Sequence, residues 1–211
     1  MSRRVNTFGA LLGLVVNFGP GVAVAQKKPV TQPLVTAAVA GQGVAVLPLG
    51  MVVVDQEMAI GHLRADRATL LHWSDSLILA NLQTKAPEVN WISPAELRRA
   101  SRRSAGLAPE PDQMGQAIMR SWSLTIVPDP LRSGLRRLLA IAGGGRLALI
   151  PASLQFRPDS AGALTADMSL VLADVRTGRV LWRSVARGSG GTPEEVFEKA
   201  MTTVFPGDGN L

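Results

Sequence analysis

Hydrophobic and polar positions follow two periods along this chain, one typical of strands and one typical of helices. Residues 43–50 form an apolar run between two glycines, which predicts a strand buried on both faces. Residues 67–84 repeat apolar positions at helical spacing and predict an amphipathic helix. Its predicted stripe contains Leu70, Leu71, Ser74, Leu77, Ile78 and Asn81. Residues 89–92 predict a second, short strand.

Two helix starts carry a capping box, in which a hydroxyl and a carboxylate satisfy each other's backbone amides. Residues 93–96 (Ser-Pro-Ala-Glu) predict a helix that continues to about residue 104. Residues 192–195 (Thr-Pro-Glu-Glu) predict a terminal helix that ends at Pro206. Its apolar face contains Val196, Phe197, Ala200, Met201 and Val204.

Two more helices are predicted between these capping boxes. Asp112 can cap a helix that places Met114, Ile118 and Trp122 four residues apart. Residues 129–130 (Asp-Pro) start another helix, which the glycines at 143–145 end. This second helix turns Leu131, Leu135, Leu138, Leu139 and Ala142 to one side.

The remaining apolar runs predict strands. Residues 124–127 form one, and residues 146–157, 162–174 and 179–187 form a meander joined by turns. The order of elements favours an α/β fold with a mixed, mostly antiparallel sheet flanked by helices, in a two-layer or three-layer sandwich. We expect one domain over residues 43–205, a tail at 206–211, and Trp182 packed on the sheet under the last helix.

The N-terminus has the outline of a signal peptide. A basic start, a short apolar stretch and the small-residue end at 22–25 predict cleavage after Ala25, although an uncleaved anchor is the alternative. Residues 26–42, polar and interrupted by prolines, are predicted to be a flexible leader. The mature protein is therefore expected in the periplasm or another extracytoplasmic space.

Composition removes several classes of function. The chain of 211 residues has no cysteine, which excludes disulfides, thiolate metal sites and a lipoprotein cleavage cysteine. It has no tyrosine and only 4% aromatic residues, so a stacking platform for nucleic acid is not expected. Its formal net charge is +6, and removal of Arg3 and Arg4 with the predicted signal peptide leaves a modestly basic mature chain.

Several of these segments resemble a known superfamily of envelope proteins. The segments at 44–49, 96–97, 146–149 and above all 172–182 (Leu-Ala-Asp-Val-Arg-Thr-Gly-Arg-Val-Leu-Trp) are similar to the curli secretion channel and to LpoB-type activators of penicillin-binding proteins. They are also similar to the N-terminal domain of the Tol-system propeller protein. The resemblance covers residues 43–204 and implies a cell-envelope role. The chain lacks the lipoprotein cysteine and any long insertion typical of channel-forming hairpins.

Reactive groups do not form a recognisable site in the sequence. His62 with Asp66 and His72 with Asp75 are spaced for a small metal site, but no ligand motif accompanies them. The glycines at 143–145 lie between a helix and a strand, the reverse of the order that points helix amides at a phosphate. We therefore predict no catalytic residue, no metal, no cofactor and no enzymatic activity.

Four arginines make the outer face of the second helix basic. With Leu97 and Ala100 turned inward, the candidate interaction surface contains Arg98, Arg99, Arg102 and Arg103. An exported protein meets anionic headgroups, cell-wall polymers and acidic protein surfaces, any of which this face could bind. The alternative is a solvated face without a partner.

The sequence thus favours an exported, non-enzymatic envelope protein that scaffolds or regulates a larger assembly through protein contacts. The expected partners are envelope proteins, such as a cell-wall synthase or a secretion component, with an anionic envelope polymer as a further option and no nucleic acid. Self-association is compatible with this. An accessory component of an outer-membrane secretion or transport complex is the first alternative, and an unrecognised periplasmic hydrolase is the second.

Overall fold

The computed structural model describes residues 29–143 and 145–206. The predicted signal peptide, the first three residues of the predicted leader and residues 207–211 lie outside them. A six-stranded sheet forms the centre of the fold, in the order β3-β1-β4-β5-β6, with β2 also paired to β4. The strands are β1 Gly43–Val46, β2 Val52–Val54, β3 Asn90–Ile92, β4 Leu147–Pro158, β5 Leu164–Asp174 and β6 Val180–Gly190.

The sheet is mixed, as the sequence predicted. Strand β1 runs parallel to β3 and β4, and β2 runs parallel to β4. The long β4-β5-β6 meander is antiparallel and supplies most of the paired residues. Alternate residues of β4 face opposite sides: Leu147 and Leu149 belong to one core, and Ala148 and Ile150 to the other. Both faces of the sheet are therefore buried.

Four α-helices cover the two faces of the sheet: α1 Arg67–Lys85, α2 Pro94–Arg103, α3 Leu131–Ile141 and α4 Pro193–Val204. Helices α1 and α4 share the core that contains Phe156 and Phe197. Helices α2 and α3 share the opposite core, which contains Leu97 and Leu138. The fold is a three-layer α/β sandwich, and the predicted fold class is confirmed.

Two predicted elements differ from the structure. The helix predicted from Asp112 is wrong, because the segment forms two 3-10 helices, Pro111–Gln113 and Gln116–Arg120. Gly115 separates them with φ 73°, a left-handed conformation that interrupts an α-helix. The strand predicted at 124–127 is reduced to one bridge between Ile126 and Arg179. Strand β2 was not predicted, because its three residues carry no clear period.

The end of the predicted leader contacts the domain. Residues Thr36–Val39 form a 3-10 helix with Val39 buried, and the Leu34 amide donates to the carbonyl oxygen of Val204 at 2.9 Å. Trp182 is 9% exposed, and its indole Nε1 donates to the carbonyl oxygen of Pro33 at 3.2 Å. Its ring centroid lies 6.3 Å from that of Phe205, just after α4, which confirms the expected packing of Trp182.

Among the described residues, no helix combines the length and the apolar composition needed to cross a membrane.

Candidate functional site

Helix α2 has the start that the sequence predicted. The Ser93 hydroxyl accepts a hydrogen bond from the Glu96 amide at 3.2 Å, and the Glu96 carboxylate accepts one from the Ser93 amide at 2.7 Å. The Ser93 amide and hydroxyl both donate to the Glu96 carboxylate, and these two hydrogen bonds lower the pKa of the Glu96 carboxyl. Leu97 and Ala100 are buried against the sheet. The capping box therefore fixes which positions of α2 face solvent.

Arg98 differs from the other three predicted surface arginines. Its side chain is only 12% exposed, and its guanidinium lies 2.5 Å from Asp75 of α1 and 2.6 Å from Asp112. The second oxygen of Asp75 accepts a hydrogen bond from the Leu49 amide at 2.7 Å. Arg98 thus joins α2 to α1 and to the 3-10 helix at 111–113. It is a structural residue and is removed from the candidate surface.

The pKa values of the two carboxyl groups around Arg98 are shifted in opposite directions. Hydrogen bonding to the Arg98 guanidinium lowers the pKa of the Asp112 carboxyl. Burial raises the pKa of the Asp75 carboxyl, against the hydrogen bonds from Leu49 and Arg98. Hydrogen bonds to Asp112 and Asp75 raise the pKa of Arg98, which stays charged. Arg98 is therefore shared between a buried carboxylate, Asp75, and an exposed one, Asp112.

Helix α3 adds two arginines that the sequence analysis missed. Arg136 and Arg137 are exposed on the same helical layer as α2. Arg136 also donates to the carbonyl oxygen of Val175 at 3.2 Å, which holds it beside the β5-β6 turn. Both lie on the side of the helix opposite its predicted apolar stripe, so the helical periodicity also predicts that they are exposed. We call the exposed set the basic face: Arg99, Arg102, Arg103, Arg136 and Arg137.

The basic face is not neutralised by nearby acids. Within residues 29–143 and 145–206, none of its five guanidinium groups lies within 4.0 Å of a carboxylate oxygen. Helices α2 and α3 together carry seven arginines and one glutamate, whereas α1 and α4 carry three basic and four acidic residues. The two outer layers therefore differ strongly in charge, and the α2/α3 layer attracts anions.

A cavity of about 400 Å³ lies beside the leader, and a second one of about 330 Å³ lies under the basic face. The second is bounded by β3, by α2 and by the end of α3. Its lining includes Trp91, Ile92, Arg99, Arg103 and Gly143. Arg99 and Arg103, one helical turn apart, both border this cavity.

The histidines are not brought together with metal ligands. His62 stacks on Trp73 with ring centroids 5.4 Å apart and lies 3.8 Å from Glu194. Asp66, its predicted neighbour, instead caps α1 by accepting from the amides of Ala68 and Thr69. In the described ranges, no group of three or more His, Cys, Asp or Glu side chains is placed to hold a metal ion.

Comparisons with known proteins give structural similarity at low identity. No protein-family model matches the chain, and no curated protein matches it. The LpoB C-terminal domain from Escherichia coli is 18% identical, with 72% of this chain and 85% of that chain covered and a TM-score of 0.39. The PelC dodecamer from Paraburkholderia phytofirmans is 13% identical, with 83% of this chain and 93% of that chain covered and a TM-score of 0.37.

The lipoprotein GNA1162 from Neisseria meningitidis is 12% identical, with 72% and 84% coverage and a TM-score of 0.38. The solved structures that resemble this chain thus include LpoB. The wider resemblance to the curli channel and to the Tol-system protein stays a prediction from the sequence.

Proposed function

We propose that this chain is an exported cell-envelope protein that works without catalysis, by docking a larger envelope assembly onto its basic face. The observation that carries the proposal is the charge difference between the two helical layers. Five exposed arginines on one side of the sandwich form a positive surface that steers an acidic partner and fixes its orientation. The N-terminal pattern supports export, and the resemblance found in the sequence supports a scaffolding or regulatory role.

The two buried aspartates, Asp75 and Asp174, have their partners within the fold, which supports a role in binding rather than in catalysis. Asp75 is held by Arg98 and the Leu49 amide, as described above. Asp174 is held by Arg146 at 2.5 Å and by the Thr177 amide at 2.9 Å. Hydrogen bonds from Thr177 and Arg146 lower the pKa of the Asp174 carboxyl, despite its burial. The side chains of both acids are therefore engaged by other groups of the protein.

Charge reversal of the basic face tests the proposal. The double variant Arg99→Glu and Arg103→Glu is expected to reduce retention in the washed envelope fraction by at least about tenfold, because each reversal turns an attraction into a repulsion. Retention is measured by quantitative immunoblotting of spheroplast fractions at low and physiological salt. The loss is expected to be larger at low salt, where charges are less screened.

A variant with the same net charge change serves as the control. Arg67→Glu, Ser76→Glu and Gln83→Glu alter exposed positions of α1, on the opposite layer. This triple variant is expected to fractionate like the unchanged protein. Equal retention of the Arg99/Arg103 variant, or equal loss in both variants, would contradict a docking role for the basic face.

A further inference from the structure

The outer edge of β6 is covered by the leader, by the loop at 122–127 and by helix α4 of the same chain. Unpaired sheet edges invite pairing with other chains, and proteins commonly cover them. The contacts that do so include Val180 amide to Thr125 carbonyl at 3.0 Å, Val127 amide to Gly178 carbonyl at 2.8 Å, Val185 amide to Val30 carbonyl at 3.1 Å, and Arg187 amide to Thr203 hydroxyl at 3.3 Å.

The loop that covers this edge is itself anchored. Arg183 of β6 donates to the carbonyl oxygens of Met119 and Ser121 at 2.6 Å and of Leu124 at 2.8 Å. Its guanidinium also lies 5.7 Å from the centre of the Trp122 ring, a cation–π contact. Covering the β6 edge thus involves several dedicated side chains.

The opposite edge of the sheet, β3, keeps backbone groups that are not paired within the described ranges. The Asn90 amide donates to the carbonyl oxygen of Gln42 at 3.2 Å, and the register pairs Ile92 with Ala45. In a parallel pair, alternate residues bond to the neighbouring strand, so the amide and carbonyl of Trp91 point away from β1. Across the described ranges, no backbone or side-chain hydrogen bond reaches these two Trp91 groups.

The open edge lies beside the basic face. The 330 Å³ cavity is lined both by β3 and by Arg99 and Arg103. Glu96 also borders it, but its carboxylate is engaged by the Ser93 amide and hydroxyl at 2.7 and 2.8 Å. The groups that a ligand could contact here include the backbone amide and carbonyl of Trp91 and the guanidinium groups of Arg99 and Arg103.

We infer that the β3 edge receives an extended, acidic segment of the partner protein, which adds to the sheet as a further strand. The inference rests on the proposed function and specifies how its partner is bound. Backbone hydrogen bonds to Trp91 hold the segment, and its carboxylates contact Arg99 and Arg103. Same-side residues of an extended chain repeat about every 6.8 Å. Helix positions four apart are separated by about 6 Å, so alternating acids suit this pair of arginines.

A synthetic peptide tests this inference on the purified protein. The probe is an eight-residue peptide of alternating threonine and glutamate, titrated by calorimetry and followed by the backbone amide signal of Trp91 in NMR spectra. We expect saturable binding, a shift of that signal and slower hydrogen exchange at the Trp91 amide. Three matched peptides serve as controls. One replaces every glutamate with glutamine, and the other two carry N-methyl groups on alternate backbone amides, one peptide for each register.

The glutamine peptide and one of the two N-methylated registers are expected to bind at least about tenfold more weakly, because each removes one class of contact. The Arg99→Glu and Arg103→Glu variant should lose binding to a similar degree. The Arg67→Glu, Ser76→Glu and Gln83→Glu variant, which makes the same net charge change on the opposite layer, should leave peptide binding within about twofold.

Two results would overturn the inference while leaving the proposed function standing. One is the absence of peptide binding to the unchanged protein. The other is binding that weakens equally in the Arg67/Ser76/Gln83 variant and is unaffected by N-methylation, which would indicate attraction to charge alone. Failure of the proposed function would appear elsewhere, as unchanged envelope retention after reversal of Arg99 and Arg103.

Discussion

Replacing Arg98 with alanine is expected to lower the free energy of unfolding by about 3–5 kcal/mol. The substitution leaves Asp75, whose side chain is 6% exposed, without the cation that compensates its charge. The remaining hydrogen bond from the Leu49 amide cannot replace an ion pair at 2.5 Å. The cost is large because removing one partner strands a buried charge, whatever the net contribution of the intact cluster.

Urea denaturation measures the Arg98 effect as a lower midpoint at an unchanged slope. Arg102→Ala is the matched control, since it removes the same side chain from an exposed position of the same helix. We expect Arg102→Ala to change stability by less than about 0.5 kcal/mol. A cost below about 1 kcal/mol for Arg98→Ala would mean that water reaches Asp75 and replaces the guanidinium.

Replacing Gly188 with alanine is expected to cost about 3 kcal/mol, at the upper end for overpacking. Gly188 lies on β6 where α4 crosses the strand. A Cβ atom there would overlap the carbonyl oxygen of Val196 and lie 2.5 Å from the amide nitrogen of Ala200. Both are backbone atoms of α4, so the whole helix must shift to relieve the clash.

Thermal unfolding measures the Gly188 effect directly. For a chain of this size, about 3 kcal/mol corresponds to a decrease in Tm of roughly 6–12 °C. Ser189→Ala, at the exposed neighbouring position, is the control and should leave Tm nearly unchanged. If Gly188→Ala unfolds at the same temperature as the unchanged protein, the contact between α4 and β6 is looser than described.

Local signals predicted much of the fold, because they depend on residues close together in sequence. The capping box at 93–96 sets the start of α2, and the apolar faces of α3 and α4 follow directly from helical periodicity. The helix predicted from Asp112 was wrong because that prediction, too, rested only on local spacing. Met114 and Ile118 have helical spacing, but Gly115 adopts a left-handed conformation that periodicity does not detect.

The candidate site was only partly predictable, because its limits depend on distant residues. Arg98 and Arg102 both occupy polar positions of α2, but Arg98 forms an ion pair with Asp75, which lies 23 positions earlier in the chain. The open edge of β3 could not be inferred either, since strand order is not encoded in any single segment. By contrast, the helical pattern of α3 predicts that Arg136 and Arg137 are exposed. Only their position beside the arginines of α2 depends on the tertiary structure, which places both helices in one layer.

Site-specific crosslinking in living cells tests the central claim most directly. A photoreactive amino acid replaces Arg103 in the basic face or, as a control, Gln83 on the exposed side of α1. Irradiation is expected to capture an envelope protein from position 103 and not from position 83. A cell-wall synthase would support the regulator role, and an outer-membrane export protein would favour the secretion alternative. Capture from position 83 alone, or from neither position, would contradict docking through the basic face.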